Sequence, residues 1–145
     1  MNQSAHAPAV TRDLQMQVVL DNEARVALPA SVSYSANDPF AVTASFRTGE
    51  GNVTWVFARD LLRDGLTEAA GEGDVAIRPV HPSRGAKVLI TLSSPSGSAR
   101  LEGPRDDLRL FVNDMYSLVP EDEEWRYVRI DSVINELLGS SDDAR

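Results

Sequence analysis

The sequence predicts an α+β domain built on two antiparallel β-sheets, with a short helix between two runs of strands and a helical C-terminal part. Three observations lead to this fold class. Several segments alternate apolar and polar residues, which is the two-residue period of a strand with one buried face. Turns that contain Gly or Pro separate these segments. Apolar residues at helical spacing occur only around residue 60 and after residue 104. Parallel βαβ units are therefore not expected.

The first run is predicted to begin near Asp13 and to hold four strands. In the first strand, Gln15 and Gln17 alternate with apolar residues, which are Leu14, Met16, Val18 and Leu20. The second apolar stretch, residues 26–34, contains Pro29. Because proline cannot donate a ladder hydrogen bond, this strand is predicted to lie at a sheet edge or to carry a bulge.

The third and fourth strands, residues 41–48 and 53–59, are rich in β-branched and aromatic residues. The glycine-containing loop between them favours an antiparallel hairpin. A helix of one or two turns is predicted next, because Asp60 can cap its start and Gly65 can take a left-handed conformation at its end.

The second run contains about three strands, which are also predicted to be consecutive and antiparallel. Its apolar residues are Val75, Ile77, Val88, Ile90, Leu92, Ala99 and Leu101. A turn at residues 94–97, with Pro and Gly at suitable positions, joins the last two strands. Pro104 then stops the sheet and is tolerated in the first turn of a helix, where its missing N–H would have no partner.

Helical spacing dominates the C-terminal part. The stripe consists of Leu108, Phe111, Val112 and Met115, continued by Leu118 and Val119. Pro120 marks a break, and residues 127–130 are compatible with either a helix or a strand. Asp131 or Ser132 can cap a last helix that Gly139 ends, with one apolar face formed by Val133, Ile134, Leu137 and Leu138.

The chain of 145 residues has room for one compact domain and excludes a second, enzymatic one. Residues 1–12 are small, polar and rich in Ala and Pro, which predicts a disordered N-terminal arm. The single domain is predicted to span residues 13–139, followed by a polar tail at residues 140–145. No signal peptide and no run near the ~20 apolar residues of a membrane span are recognisable, so a cytoplasmic location is expected.

The acidic balance constrains the class of partner. The net charge is −8, and residues 101–145 hold 12 acidic against 5 basic side chains. Such a surface repels phosphates and anionic lipid heads, so nucleic acid is not the favoured partner and any contact with a membrane is expected to be indirect. The absence of cysteine excludes disulfides, thiolate nucleophiles and Cys-based zinc sites.

The chemistry of an active site was sought and is not predicted. The two histidines are His6 and His81, too few for a His-rich metal site, and His81 is better interpreted as a turn residue than as a catalytic one. No serine lies in a Gly-x-Ser-x-Gly elbow. We therefore predict no catalytic, cofactor-binding or metal-binding residue, no cofactor and no enzymatic activity.

Two further patterns have simple structural interpretations. The paired glycines at residues 49–51 and 71–73 each enclose a glutamate and lack a following Lys-Ser/Thr, so they indicate hairpin turns, not phosphate-binding loops. Asp106, Asp107 and the acidic residues 121–124 are interpreted as a solvated surface that favours helix starts, not as calcium ligands or an acid/base pair.

Aromatic residues on two adjacent strands allow an alternative function. Trp55 and Phe57 share a strand face, and Phe46 can have the same orientation on the neighbouring strand. In a nucleic-acid binder these rings could stack on bases. Basic residues would then hold the backbone, and they are Arg47, Arg59, Arg63, Arg78, Arg84 and Lys87. A buried sheet core is the favoured interpretation, because an apolar face must be covered.

Four segments carry a resemblance to a known family. They are Asp38-Pro39-Phe40-Ala41-Val42, Phe46-Arg47-Thr48-Gly49, Val53-Thr54-Trp55-Val56-Phe57-Ala58-Arg59-Asp60-Leu61-Leu62 and Gly65-Leu66. At these segments the chain resembles the SsgA-like proteins of sporulating actinomycetes. The Gly73-Asp74-Val75 step and the Leu92-Ser93-Ser94-Pro95 turn also fit, so the likeness runs from about residue 14 to residue 138.

The resemblance implies a role in sporulation-specific cell division and brings no catalytic residues with it. SsgA-like proteins act with one another and influence the localisation of the tubulin-like division protein FtsZ at the septum. The SsgB type, which brings FtsZ to future septum sites, is the preferred subtype. The resemblance also implies a fold like that of the trimeric whirly and guide-RNA-binding proteins. A homo-oligomer, with a trimer expected, follows from that likeness, and a single-stranded nucleic-acid-binding module is kept as the alternative function.

Overall fold

The computed structural model describes residues 8–80 and 86–128, which form strands, two α-helices and one 3₁₀ helix. The strands are β1 (Ala9–Val19), β2 (Arg25–Ser35), β3 (Ala41–Thr48), β4 (Gly51–Ala58), β5 (Val75–Val80), β6 (Lys87–Ser94) and β7 (Gly97–Pro104). The α-helices are α1 (Arg59–Gly65) and α2 (Arg105–Leu118), and the 3₁₀ helix is Glu124–Arg126. The two antiparallel runs of strands and the helix between them agree with the prediction.

The described strands form one sheet, in the order β4-β3-β2-β1-β7-β6-β5, so the prediction of two separate sheets is corrected. Strand β1 pairs with β2 along all of its 11 residues. Its last three residues also pair with β7, where Val18 lies opposite Leu101. This pairing joins the two runs into a single curled sheet. Hairpin signals in a sequence specify only neighbouring strands, so they could not reveal this long-range contact.

Strand β2 lies inside the sheet, between β3 and β1, so the prediction of an edge or bulged strand was wrong. Its pairing with β1 is continuous and places Pro29 opposite Gln15. The ladder to β3 begins only at Ala30. Because Pro29 lies beyond the end of that ladder, its missing N–H breaks no hydrogen bond to β3.

Strand β1 begins at Ala9, earlier than the predicted start near Asp13. Its first residue lies opposite Ser35 of β2, and the Ala36 N–H donates a 2.9 Å hydrogen bond to the Pro8 carbonyl. The small residues of this segment therefore belong to the sheet because β2 is long enough to pair with them. The remaining residues of the predicted arm, 1–7, and the predicted last helix lie outside the described residues.

One face of the sheet carries the core. The predicted stripe of α2 is confirmed, since Leu108, Phe111, Val112 and Met115 are all buried against the sheet. Apolar residues two apart on β1, Leu14 and Met16, are buried on the same side. The covered part of this face thus lies beneath α2.

Helix α1 differs from the predicted cap geometry. It begins at Arg59 with Ala58 as N-cap and without a side-chain cap hydrogen bond, so Asp60 does not cap it. Gly65 is the last helical residue and does not have a positive φ. A Cβ at Gly65 would clash with the side chain of Ile77 on β5. The glycine is therefore required by a close approach between α1 and β5, not by a left-handed conformation.

Candidate interaction surfaces

A buried arginine organises one end of the core face. Arg59, the first residue of α1, is 1% exposed and forms a 2.8 Å ion pair with Glu124 of the 3₁₀ helix. Its Nη1 donates hydrogen bonds to the Tyr34 hydroxyl, at 3.1 Å, and to the Val119 carbonyl, at 2.8 Å. Its Nη2 also donates to the Pro120 carbonyl at 3.4 Å. One side chain thereby ties β2, the end of α2 and the 3₁₀ helix to α1.

Aromatic rings enclose this guanidinium. The Arg59 Cζ lies 4.0 Å from the centroid of the Tyr116 ring and 5.3 Å from that of Tyr34. Tyr116 donates a 2.6 Å hydrogen bond from its hydroxyl to Asp60, and burial together with this contact raises the pKa of Tyr116. The hydrogen bond from Arg59 lowers the pKa of Glu124, although burial opposes the shift. Glu124 is therefore ionised at neutral pH, as the pair requires.

Two aromatic rings lie exposed beside this cluster. Phe40, in the turn before β3, is 42% exposed, and Trp125, in the 3₁₀ helix, is 71% exposed. Their ring centroids are 5.3 Å apart with an interplanar angle of 65°, an edge-to-face contact. Neither residue is recognisable as a binding residue in the sequence, because exposure of an aromatic side chain has no local sequence signal.

The other end of the core face is an apolar groove of about 390 Å³. None of its lining residues comes from α2. Its apolar lining includes Val18, Leu28, Phe46, Val53, Trp55 and Leu101, and Thr48, Ser94 and Ser96 also line it. No charged side chain of the described residues lines it. We call this surface the open groove, and its chemistry suits apolar side chains or another uncharged apolar group.

The predicted aromatic core is confirmed in part. Phe46 lies opposite Val53, and Trp55 and Phe57 follow on the same face of β4. Phe46 is 4% exposed, whereas Trp55 and Phe57 are only half-buried and pack against the core from the edge strand. Burial stops at β4 because no further described strand or helix covers that edge.

The basic residues of the nucleic-acid alternative do not form one patch. Arg59 is buried in its ion pair, and Arg63 is engaged with Asp64 and Glu121 at 3.0 and 2.8 Å. Arg47 and Arg78 lie on β3 and β5, which four strands separate. Lys87 is on β6, while Arg84 and His81 lie outside the described residues. A continuous basic track for a phosphate backbone is thus not formed by the described residues.

The described residues also form neither a metal site nor a helical membrane span. Within residues 8–80 and 86–128, no group of three His, Asp or Glu side chains is arranged to hold a metal ion. No helix in this part of the chain has the length and apolar character to cross a membrane.

Comparison with known proteins identifies the family. Residues 28–124 match the family described as "Streptomyces sporulation and cell division protein, SsgA". The chain belongs to the SsgA family. The sporulation-specific cell division protein SsgB of Streptomyces coelicolor is 39% identical over 133 residues, which are 91% of this chain and 97% of that protein. The SsgB of Kineococcus radiotolerans is 46% identical over 113 residues, covering 77% of this chain and 68% of that protein.

A solved structure agrees with this assignment. This chain superposes on a solved SsgB structure with a TM-score of 0.80 and 40% sequence identity. That structure is described as "Mutations in SsgB correlate to longitudinal cell division during sporulation of Streptomyces coelicolor". The match covers 84% of this chain and 97% of the other. The SsgA-like resemblance is confirmed, both relatives named above are SsgB proteins, and the chain has a role in sporulation-specific cell division. The family is one of cell division proteins, not of known enzymes.

Proposed function

We propose that this SsgA-family chain is a non-enzymatic adaptor that helps to place or recruit the division machinery, including FtsZ, at septum sites. The observation that supports this most directly is the open groove, because an exposed apolar surface next to polar residues is typical of an interaction site. The chain would act in the cytoplasm at the division septum, with other SsgA-like proteins as further partners. Contact with the membrane would be indirect.

We propose also that the protein forms a homo-oligomer, with a trimer as the expected state. Strand β4 is an edge of the sheet, and its Val53 and Val56 are 43% and 59% exposed. An exposed edge strand with apolar side chains favours pairing with another chain. Sedimentation at micromolar concentration should show a species larger than the 15.8 kDa monomer. A monomer alone would contradict this proposal.

The nucleic-acid alternative receives no support from the family or from the position of Arg59. The whirly-like arrangement that suggested it is likewise not confirmed, since the described strands form one sheet. Single-stranded DNA and RNA should accordingly bind weakly or not at all at physiological salt. Tight binding with a steep salt dependence would contradict the adaptor. Residues 9–12 of the predicted arm belong to β1. The rest of the division, into an arm, a domain up to residue 139 and a tail at residues 140–145, stays a prediction that limited proteolysis can test.

The adaptor proposal can be tested with two valines on one strand. Val53 lies on the core face of β4 at the open groove, whereas Val56 points to the opposite face. Val53→Glu places a charge in the groove, and Val56→Glu places the same charge on the same strand outside it. Pull-downs from sporulating cells should lose division proteins with Val53→Glu and retain them with Val56→Glu. Equal capture by both folded variants would refute binding through the groove.

A further inference from the structure

The exposed aromatic pair, Phe40 and Trp125, lies next to the buried ion pair between Arg59 and Glu124. Trp125 follows Glu124 directly, and Glu124 is bound to Arg59 at 2.8 Å. The backbone around it is also closed by short hydrogen bonds, from the Arg126 N–H to the Glu123 carbonyl and from the Tyr127 N–H to that of Glu124. The backbone position of Trp125 is therefore set by buried groups, even though 71% of the residue is exposed.

Stability alone does not account for this arrangement. A buried ion pair is on average no more stabilising than well-packed apolar residues of the same volume. An indole that is mostly exposed gains little from burial. The segment also holds Asp122 at a φ of 70°, in the left-handed region that non-glycine residues seldom adopt. Together these features hold the backbone beneath the exposed aromatic pair, and a backbone that is already ordered loses less conformational entropy when a partner binds.

Carboxylates lie close in sequence to both members of the aromatic pair. Asp38 lies two residues before Phe40, and Glu121, Asp122 and Glu123 precede the 3₁₀ helix. Two of these carboxylates are paired with arginines. Arg63 lies 2.8 Å from Glu121, and Arg126 lies 3.8 Å from Glu123. Asp38 and Asp122 are exposed and make no ion pair among the described residues. The surface is therefore apolar at its centre and acidic around it.

From this geometry we infer that the aromatic pair and its acidic surroundings bind a short basic segment of a partner protein. The segment has an aliphatic side chain that packs on Trp125 and Phe40, next to Lys or Arg residues that meet the carboxylates. Exposed aromatic residues held in place are the commonest centres of binding energy at protein interfaces. Charge complementarity selects the basic partner and speeds its approach. This site is separate from the open groove and does not depend on the groove's function.

The test uses the full chain, whose two tryptophans give two indole N–H signals in an NMR spectrum. Trp55 lies on β4 and lines the open groove, so a shift of its signal would report binding at that surface instead. The probes are the amidated, acetylated tetrapeptide Leu-Arg-Leu-Arg and its acidic counterpart Leu-Glu-Leu-Glu. The basic peptide should shift the Trp125 signal saturably while that of Trp55 stays in place. Raising the salt from about 50 to about 300 mM should weaken the affinity about threefold or more, because the charges are screened.

Variants separate binding from folding. Phe40→Ala removes half of the aromatic pair and should weaken peptide binding at least about fivefold, which corresponds to about 1 kcal/mol. Leu110→Ala removes an apolar side chain of similar exposure, 49%, on α2 and should leave peptide binding unchanged. No saturable shift of Trp125, or equal shifts with both peptides, would overturn the inference. So would protection of the indole from a soluble paramagnetic probe in the free protein, because residues 129–145 or a second copy would then cover the site.

Discussion

Replacing Arg59 with methionine tests whether the buried cluster holds the domain together. Methionine keeps much of the length of the side chain but removes the guanidinium that pairs with Glu124. Glu124 is 7% exposed, so its carboxylate would be left in a buried site without a counter-charge. The Tyr34 hydroxyl and the Val119 carbonyl would lose a hydrogen bond as well.

The size of the effect follows from this burial. Breaking a buried ion pair by removing one partner typically costs about 3 to 5 kcal/mol. Since domains unfold with about 5 to 15 kcal/mol, Arg59→Met should lose a large share of the total stability. Arg63→Met is the matched control, because the Arg63 side chain is 33% exposed and its carboxylate partners are exposed too. Its loss should stay within about 1 kcal/mol.

Urea unfolding at neutral pH, followed by far-UV circular dichroism, measures both variants. A double variant, Arg59→Met with Glu124→Leu, removes both charges and should recover much of the loss, because no unpaired buried charge is left. Losses of the same size for Arg59→Met and Arg63→Met would refute the reasoning. A double variant as unstable as the sum of its single changes would refute it too, since the cost would then not come from the orphaned carboxylate.

Three other outcomes follow from the structure. The pKa of Glu124 is lowered in the folded state, so its contribution to stability is complete above about pH 4.3 and is lost as the pH falls through the folded pKa. Acid unfolding should show this loss of stability, and Arg59→Met should abolish the loss. Gly65→Ala should lower the melting temperature through its clash with Ile77, and an unchanged value would exclude that close approach. Trp55→Ala should lower the free energy of unfolding in urea by about 2 kcal/mol, because Trp55 is half-buried. A fully buried aromatic residue typically costs about 3 to 5 kcal/mol, so a loss of about 4 kcal/mol or more would mean that the Trp55 side chain is fully buried.

The family and the class of function were accessible from the sequence, because the segments around Trp55 carry the SsgA-like resemblance directly. Local structure was accessible for the same kind of reason. The hairpin of β3 and β4, the turn at residues 94–97 and the buried stripe of α2 each depend on residues close together in the chain. Turn chemistry and side-chain periodicity therefore specify them without help from the rest of the molecule.

The tertiary structure decided where these elements meet and which side chains become buried. The pairing of β1 with β7 made one sheet of two predicted ones. Pairing with both β1 and β3 placed β2 inside that sheet despite Pro29. From its sequence position between a strand and a helix, Arg59 would be expected at the surface. It is buried because Glu124, 65 residues away in the sequence, pairs with its charge. Trp125, the next residue after Glu124, is exposed. Burial and exposure depend on groups distant in sequence, and local propensity contains no information about them.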